Sequence, residues 1–327
     1  MAMQKPLLKK PPAVTSGAGF SIVAPASFAQ PDRIEGGLVA MRALGFAPRL
    51  CNSTLERGPL YFAGTPQQRL ADLHTAFADE STSVVMCLRG GYGSNYLLGE
   101  LDLDLIGKHS KPFFAYSDLT GIQLRLLDEL GLPAFHGPML AADFYLDDGV
   151  HLPSFQAALA GETYSVGPAE GLRVLKTGNA TGILYGGCLS ILVSLLGTEW
   201  EPQTEGKLLF LEDVGAKPYQ VDRMLWQLRH AGKFEGVSGI IFGEKLDCVS
   251  PGAAAPTDRS SSAGWGAAPD LLEQAILSAL SGFDGPIAIG LRSGHVSRSN
   301  VTLTFGVHAE LKVDEETQLD LIEPAVK

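Results

Sequence analysis

Phe113-Phe114-Ala115-Tyr116-Ser117-Asp118-Leu119-Thr120 is an apolar run that stops on a serine and an aspartate. Beyond it, apolar residues recur at helical spacing as far as Leu130, and Gly131-Leu132-Pro133 closes the segment. This predicts a buried strand over 111–116 that breaks at Ser117-Asp118 into a helix over 119–130. A serine at such a break has two readings. It can expose its hydroxyl above the sheet, with the backbone N–H groups that follow it placed to hold an oxyanion. It can equally cap the helix by satisfying the orphan donors of the first turn. The G-x-S-x-G pattern is not met, because Ala115 and Leu119 stand at the glycine positions.

The same alternation runs upstream. Phe20 to Ala24 reads as a strand followed by the turn Pro25-Ala26-Ser27, and Asp32 to Leu44 as a helix ending at Gly45. Pro66 opens a helix with Leu70, Leu73 and Phe77 on one face, and Ser83 to Leu88 is a strand ending in Arg89-Gly90-Gly91-Tyr92-Gly93. Strands alternating with helices over short connections imply a doubly wound parallel sheet, in which ligands bind at the carboxyl ends of the strands. The glycine turn and Ser117-Asp118 both fall there. Past Gly161 the texture changes to short strands at Tyr164–Val166, Arg173–Lys176, Gly182–Leu184, Leu208–Leu211 and Ile287–Ile289, with one clear helix at Val221–Ala231. The expected organisation is an α/β domain over 1–160 and a second, mixed and β-rich domain over 161–327, joined through Asp147 to Pro168. Cys248 to Gly266 reads as a low-complexity loop.

The chain has 327 residues, enough for about two domains. Its 25 Lys and Arg against 36 Asp and Glu give a net charge of −11, which repels phosphate backbones and anionic lipid and points to a small ligand rather than nucleic acid. No apolar run reaches the roughly 18 residues of a membrane span. The stretch after Lys9 and Lys10 that ends near Ala29-Gln30 mimics a signal peptide, but it reads better as the first buried strand and its turn. Cys51, Cys87, Cys188 and Cys248 form no CxxC pair and fit small hydrophobes in a reducing cytosol. No HExxH pattern or His/Asp cluster suggests a metal. The Gly90-Gly91-Tyr92-Gly93 turn is neither a P-loop nor G-x-G-x-x-G, so a nucleotide cofactor is not expected. Its glycines suit a backbone that approaches a ligand closely, or an ordinary tight βα turn.

A nucleophilic serine needs a base and a group to orient that base. Leu208-Leu209-Phe210-Leu211-Glu212-Asp213 is an apolar strand ending in two carboxylates, and Gly290-Leu291-Arg292-Ser293-Gly294-His295 ends another apolar run in a histidine. Taken singly, Glu212 also reads as a solvated strand-end charge and His295 as a loop histidine. Arg89, Arg223 and Arg292 can each clamp a substrate carboxylate or serve as surface ion pairs, and the sequence does not rank them. His136 reads as structural.

Taken together, these segments resemble the LD-carboxypeptidase family of serine peptidases, which includes muramoyltetrapeptide carboxypeptidases and microcin C immunity peptidases. The resemblance rests on Val23-Ala24-Pro25-Ala26-Ser27, Arg89-Gly90-Gly91-Tyr92-Gly93-Ser94-Asn95, Tyr116-Ser117-Asp118-Leu119-Thr120, His136-Gly137-Pro138-Met139, Leu211-Glu212-Asp213-Val214 with Pro218-Tyr219-Gln220-Val221-Asp222-Arg223-Met224-Leu225, and Gly294-His295. It implies a flavodoxin-like N-terminal domain, a smaller β-rich C-terminal domain and a homodimer. It further implies Ser117 as nucleophile, His295 as base, Glu212 as its orienter, and backbone N–H groups of Gly91 and Asp118 as the oxyanion hole. The implied reaction needs no cofactor or metal: removal of a terminal D-alanine from a murein tetrapeptide in cytoplasmic cell-wall recycling. A peptidase cleaving aminoacyl-nucleotide conjugates is the alternative, for which Trp200, Trp226 and Trp265 are the tryptophans able to stack on a base. A two-domain protein that binds a small ligand without cutting it is a further one. Ala115 and Gly187-Cys188-Leu189-Ser190 depart from the family's Gly before Tyr-Ser-Asp and its Gly-Asn-Leu-Ser.

Overall fold

The computed structural model describes residues 6–244 and 270–327. The loop expected over 248–266, with Cys248 and Trp265, lies outside them. Five of the six strands of the first sheet come from the first half of the chain: β1 (Gly19–Val23), β2 (Ala47–Leu50), β3 (Val84–Cys87), β4 (Phe113–Ala115) and β5 (Ala134–His136). They pair in the order β2-β1-β3-β4-β5, all parallel, which is the flavodoxin-like order. Helices α1 (Pro31–Ala43), α2 (Pro66–Ala78), α3 (Leu103–Lys108), α4 (Thr120–Leu130) and α5 (Leu152–Ala160) accompany them. Such strands are covered on both faces, so Val84 to Cys87 and Phe113 to Ala115 are buried without alternation.

The second sheet has eight strands. They are β6 (Tyr164–Val166), β7 (Arg173–Lys176), β8 (Gly178–Cys188), β9 (Lys207–Glu212), β10 (Gly239–Gly243), β11 (Ile287–Leu291), β13 (His308–Val313) and β14 (Gln318–Leu321), in the order β6-β14-β13-β8-β9-β10-β11-β7. Its centre, β8 to β11, is parallel, and the flanks are antiparallel. Helices α6 (Leu189–Ser194), α7 (Pro218–His230) and α8 (Asp270–Ala279) lie between its strands in the chain. The strand expected at Gly182–Leu184 is an 11-residue one.

Strand β12 (Leu303–Phe305) departs from a clean division of the chain near residue 160. It pairs antiparallel with β5, so the first sheet ends on a strand from the far part of the sequence. Helix α2 also differs from expectation. Its buried face is Arg69, Leu73, Ala76 and Phe77, with Leu70 only partly covered, so an arginine occupies a core position.

Candidate active site

Tyr116, just past the end of β4, meets His295 beyond β11, and His295 meets Glu212 at the end of β9, so the seam between the sheets joins these strand ends. Strand β4 ends at Ala115, and Ser117 takes φ +66°, a left-handed conformation rare for a residue with a Cβ. No side-chain cap closes the short 3₁₀ turn Ser117–Leu119 or α4 after it, and the Ser117 hydroxyl bonds to no other described residue. The serine therefore does not act as a helix cap. Strained backbone and an unspent hydroxyl are what a sharp strand-to-helix elbow produces.

Glu212, the last residue of β9, is fully buried. Its Oε2 accepts from the His295 backbone N–H at 3.0 Å and lies 2.8 Å from His295 Nδ1. Gly294 permits this approach: with φ +87°, a Cβ on it would stand 2.6 Å from the Glu212 carboxyl carbon. Burial alone would raise the Glu212 pKa, but the His295 charge and hydrogen bonds outweigh it and hold the group down at about 2. For His295 burial works downward, and the Glu212 charge and hydrogen bond overcome it, so the net shift is upward. Asp213, next in sequence, does different work. It accepts the Ser190 N–H at 2.8 Å and so caps the start of α6.

The residue before Ser117, Tyr116, is what meets His295. The Tyr116 ring meets the His295 ring edge-on with centroids 5.2 Å apart, while a Cβ built on Gly90 would lie 2.8 Å from Ser117 Oγ. No hydrogen bond joins Ser117 to His295 in this structure. Such contacts are often long before substrate arrives. The N–H groups of Gly91 and Asp118 are likewise engaged with no carbonyl among the described residues.

Several supporting side-chain contacts, two of them made by residues already singled out, Ser27 and Asp118, escaped the sequence reading. Arg69 Nη1 donates to the Gly93 carbonyl at 2.8 Å and to that of Pro25, with its guanidinium over the Phe62 ring. Ser27 Oγ accepts the Tyr92 N–H at 3.1 Å, and Asp118 Oδ2 accepts the Ser94 N–H at 2.8 Å. Together they grip the glycine turn from three sides. On the histidine side, Asn300 accepts the Gly294 N–H at 3.0 Å and donates to Asp143 at 3.1 Å. Burial raises the Asp143 pKa to about 6. A signal for two of these exists in the sequence: Arg69 and Asp143 are charges inside otherwise apolar patterns.

His136 is fully buried against the rings of Tyr116, Phe210 and Phe305, and burial lowers its pKa to about 4, so it is neutral. Arg292 donates to the Ala169 carbonyl at 2.6 Å, and Arg223 lies over Tyr219 on α7, and neither hydrogen-bonds a residue of the Ser117, Glu212 and His295 set. Trp200 packs near Gly99 and Arg125, and exposed Trp226 against His230. Cys188 is buried, with its backbone N–H on Thr120 Oγ1 at 3.2 Å, which ties β8 to the start of α4.

A flavodoxin-like sheet facing a second mixed sheet, with a carboxylate–imidazole pair at the seam, defines an α/β protein with a hydrolase-type site. Profiles of the LD-carboxypeptidase N-terminal and C-terminal domains match residues 21–137 and 181–311. A Bacillus subtilis protein described as a probable murein peptide carboxypeptidase is 37% identical over 314 residues, covering 94% of this chain and 93% of its own. The crystal structure of muramoyltetrapeptide carboxypeptidase from Oxalobacter formigenes superposes with a TM-score of 0.77 at 27% identity, over 94% of this chain and 99% of that one. The microcin C7 self immunity protein MccF shares the fold, with a TM-score of 0.84 at 22% identity over 98% and 100% of the two chains. The chain belongs to the LD-carboxypeptidase family.

Proposed function

We propose that this protein is a metal-independent serine LD-carboxypeptidase that removes the terminal D-alanine of a murein tetrapeptide. Ser117 Oγ attacks the carbonyl carbon of the L,D amide while His295 Nε2 takes the hydroxyl proton. Glu212 holds the Nδ1–H and stabilises the imidazolium that forms. The oxyanion lies between the N–H groups of Gly91 and Asp118. His295 then returns the proton to the leaving amine, D-alanine departs, and water hydrolyses the acyl-enzyme by the same route reversed.

The observation that carries this reading is the fully buried Glu212 carboxylate fixed on His295 Nδ1, with the His295 ring against Tyr116, the residue before a serine in a strained turn whose hydroxyl is unspent. The substrate class follows the murein peptides in the names of the Bacillus and Oxalobacter relatives. Neither Trp200 nor Trp226 contacts Ser117, Gly91 or His295, so neither described tryptophan supplies the stacking group that the nucleotide-conjugate reading asks of it. We further propose a homodimer acting in the cytoplasm. No helix among the described residues is long and apolar enough to cross a membrane.

The test is D-alanine release from a murein tetrapeptide in the presence of a chelator. Wild type should release it and Ser117→Ala should lose about four orders of magnitude in kcat/KM. A wild type that releases nothing, or a Ser117→Ala variant as fast as wild type, rejects the reading.

A further inference from the structure

The mechanism leaves one charged group beside the reacting centre unused. Arg89 follows β3 directly, and its backbone is anchored because Leu88 donates to the Val23 carbonyl at 2.7 Å and accepts from Ala141 at 2.8 Å. A Cβ built on Gly91 would lie 3.9 Å from Arg89 Nη2, and one built on Gly90 would lie 2.8 Å from Ser117 Oγ. The guanidinium thus stands along the same turn that abuts the serine. Its charge reaches the Tyr116 phenol, whose ring lies against His295.

Arg89 is partly buried and forms no hydrogen bond or ion pair with any described residue. Four other arginines are spent: Arg69 on backbone carbonyls, Arg125 on Glu129 at 2.9 Å, Arg229 on the Ala279 carbonyl at 3.1 Å and Arg292 on that of Ala169. The carboxylates of the site are committed as well, Glu212 to His295 and Asp143 to the Met139 N–H and Asn300. A guanidinium carries five donors in a planar fork matched to a carboxylate, and withdrawing it from water without an acceptor is unfavourable. The fork is therefore complementary to something the free protein does not contain.

We propose that Arg89 binds the free α-carboxylate of the C-terminal D-amino acid, and so restricts the enzyme to the chain end. The inference rests on the hydrolytic reading above. In the leaving residue that carboxylate is separated from the scissile carbonyl carbon by only the amide nitrogen and one Cα, so the two carbons lie about 4 Å apart. A group that recognises it must border the oxyanion turn, as Arg89 does. An internal peptide bond presents an uncharged amide at that point and leaves the partly buried guanidinium without its partner, which discriminates against it.

The experiment compares a tetrapeptide ending in D-alanine with the same peptide ending in D-alaninamide, following the shared tripeptide product, for wild type, Arg89→Gln and Arg89→Lys. Folding is checked by labelling Ser117 with a fluorophosphonate. Wild type should prefer the free acid by about a hundredfold or more in kcat/KM, and Arg89→Gln should bring that ratio to within about threefold of one. Arg89→Lys, which keeps the charge but loses the fork, should fall between. A ratio in Arg89→Gln equal to the wild-type ratio overturns the proposal. Release from neither peptide by wild type removes the hydrolytic reading itself.

Discussion

At the scale of single residues, the pair Glu212–His295 sets the pH behaviour. His295 must be neutral to accept the serine proton, and its pKa is raised from the ordinary 6.5 because the Glu212 charge outweighs burial. The kcat/KM profile should therefore rise with pH through a midpoint above 6.5. Replacing Glu212 by Gln removes the raising charge, so the midpoint should move down while the plateau falls about 10²- to 10⁴-fold. A Glu212→Gln profile with the wild-type midpoint would separate Glu212 from the base. The same pair makes opposite contributions to stability. Glu212, depressed from 4.5 to about 2, contributes stability that is present above pH 4.5 and lost as the pH falls toward 2. His295, raised in the fold, contributes stability below its ordinary pKa that is lost as pH rises through the folded one. Urea midpoints measured from pH 7 down to pH 3 should fall less steeply in Glu212→Gln than in wild type.

The next scale is the glycine turn after β3. Gly91 has φ +115°, and a Cβ there would run into Ser27 Oγ. Gly91→Ala should destabilise the protein by about 1–3 kcal/mol and lower kcat, because the turn must leave Ser27 and carry the Gly91 N–H with it. Adding Ser27→Gly opens the space and should recover part of the stability while the backbone strain stays. Urea melts of the single and double variants decide this, and a double variant no more stable than Gly91→Ala excludes the clash as cause. Arg69 supports the same turn from α2. Arg69→Leu strands the Gly93 and Pro25 carbonyls, and it should cost about 2–4 kcal/mol and lower kcat more than it raises KM.

For the molecule as a whole, the two sheets are joined by more than a linker. Strand β12 closes the edge of β5, Tyr185 donates to Asp128 at 2.6 Å, and the terminal Lys327 exchanges backbone hydrogen bonds with Pro11 and Ala13. Unfolding either sheet would strip partners from the other, so calorimetry on the full chain should give one cooperative transition. Residues 1–160 expressed alone would leave β5 as an open, apolar edge and should aggregate. Two well-separated transitions, or a soluble and cooperatively melting 1–160 fragment, would show the sheets to be independent.

Much of this was legible in the chain itself. Apolar runs such as Val84 to Cys87 announce buried parallel strands because such strands are covered on both faces, and Gly131 closes α4 because the left-handed φ of +67° suits a residue without a Cβ. The short strands Ala47–Leu50, Ala134–His136 and Leu303–Phe305 were not, since three or four residues carry too little periodicity and their pairing is supplied by neighbours distant in sequence. Sequence also offered Ser117, Glu212 and His295 as separate strand-end groups. That Glu212 rather than Asp213 hydrogen-bonds His295, and that Arg89 rather than Arg223 or Arg292 lies along the glycine turn that abuts the serine, are decisions of the tertiary structure. Alternation along a strand sends adjacent side chains to opposite faces, and only the packed seam determines which face holds the partner.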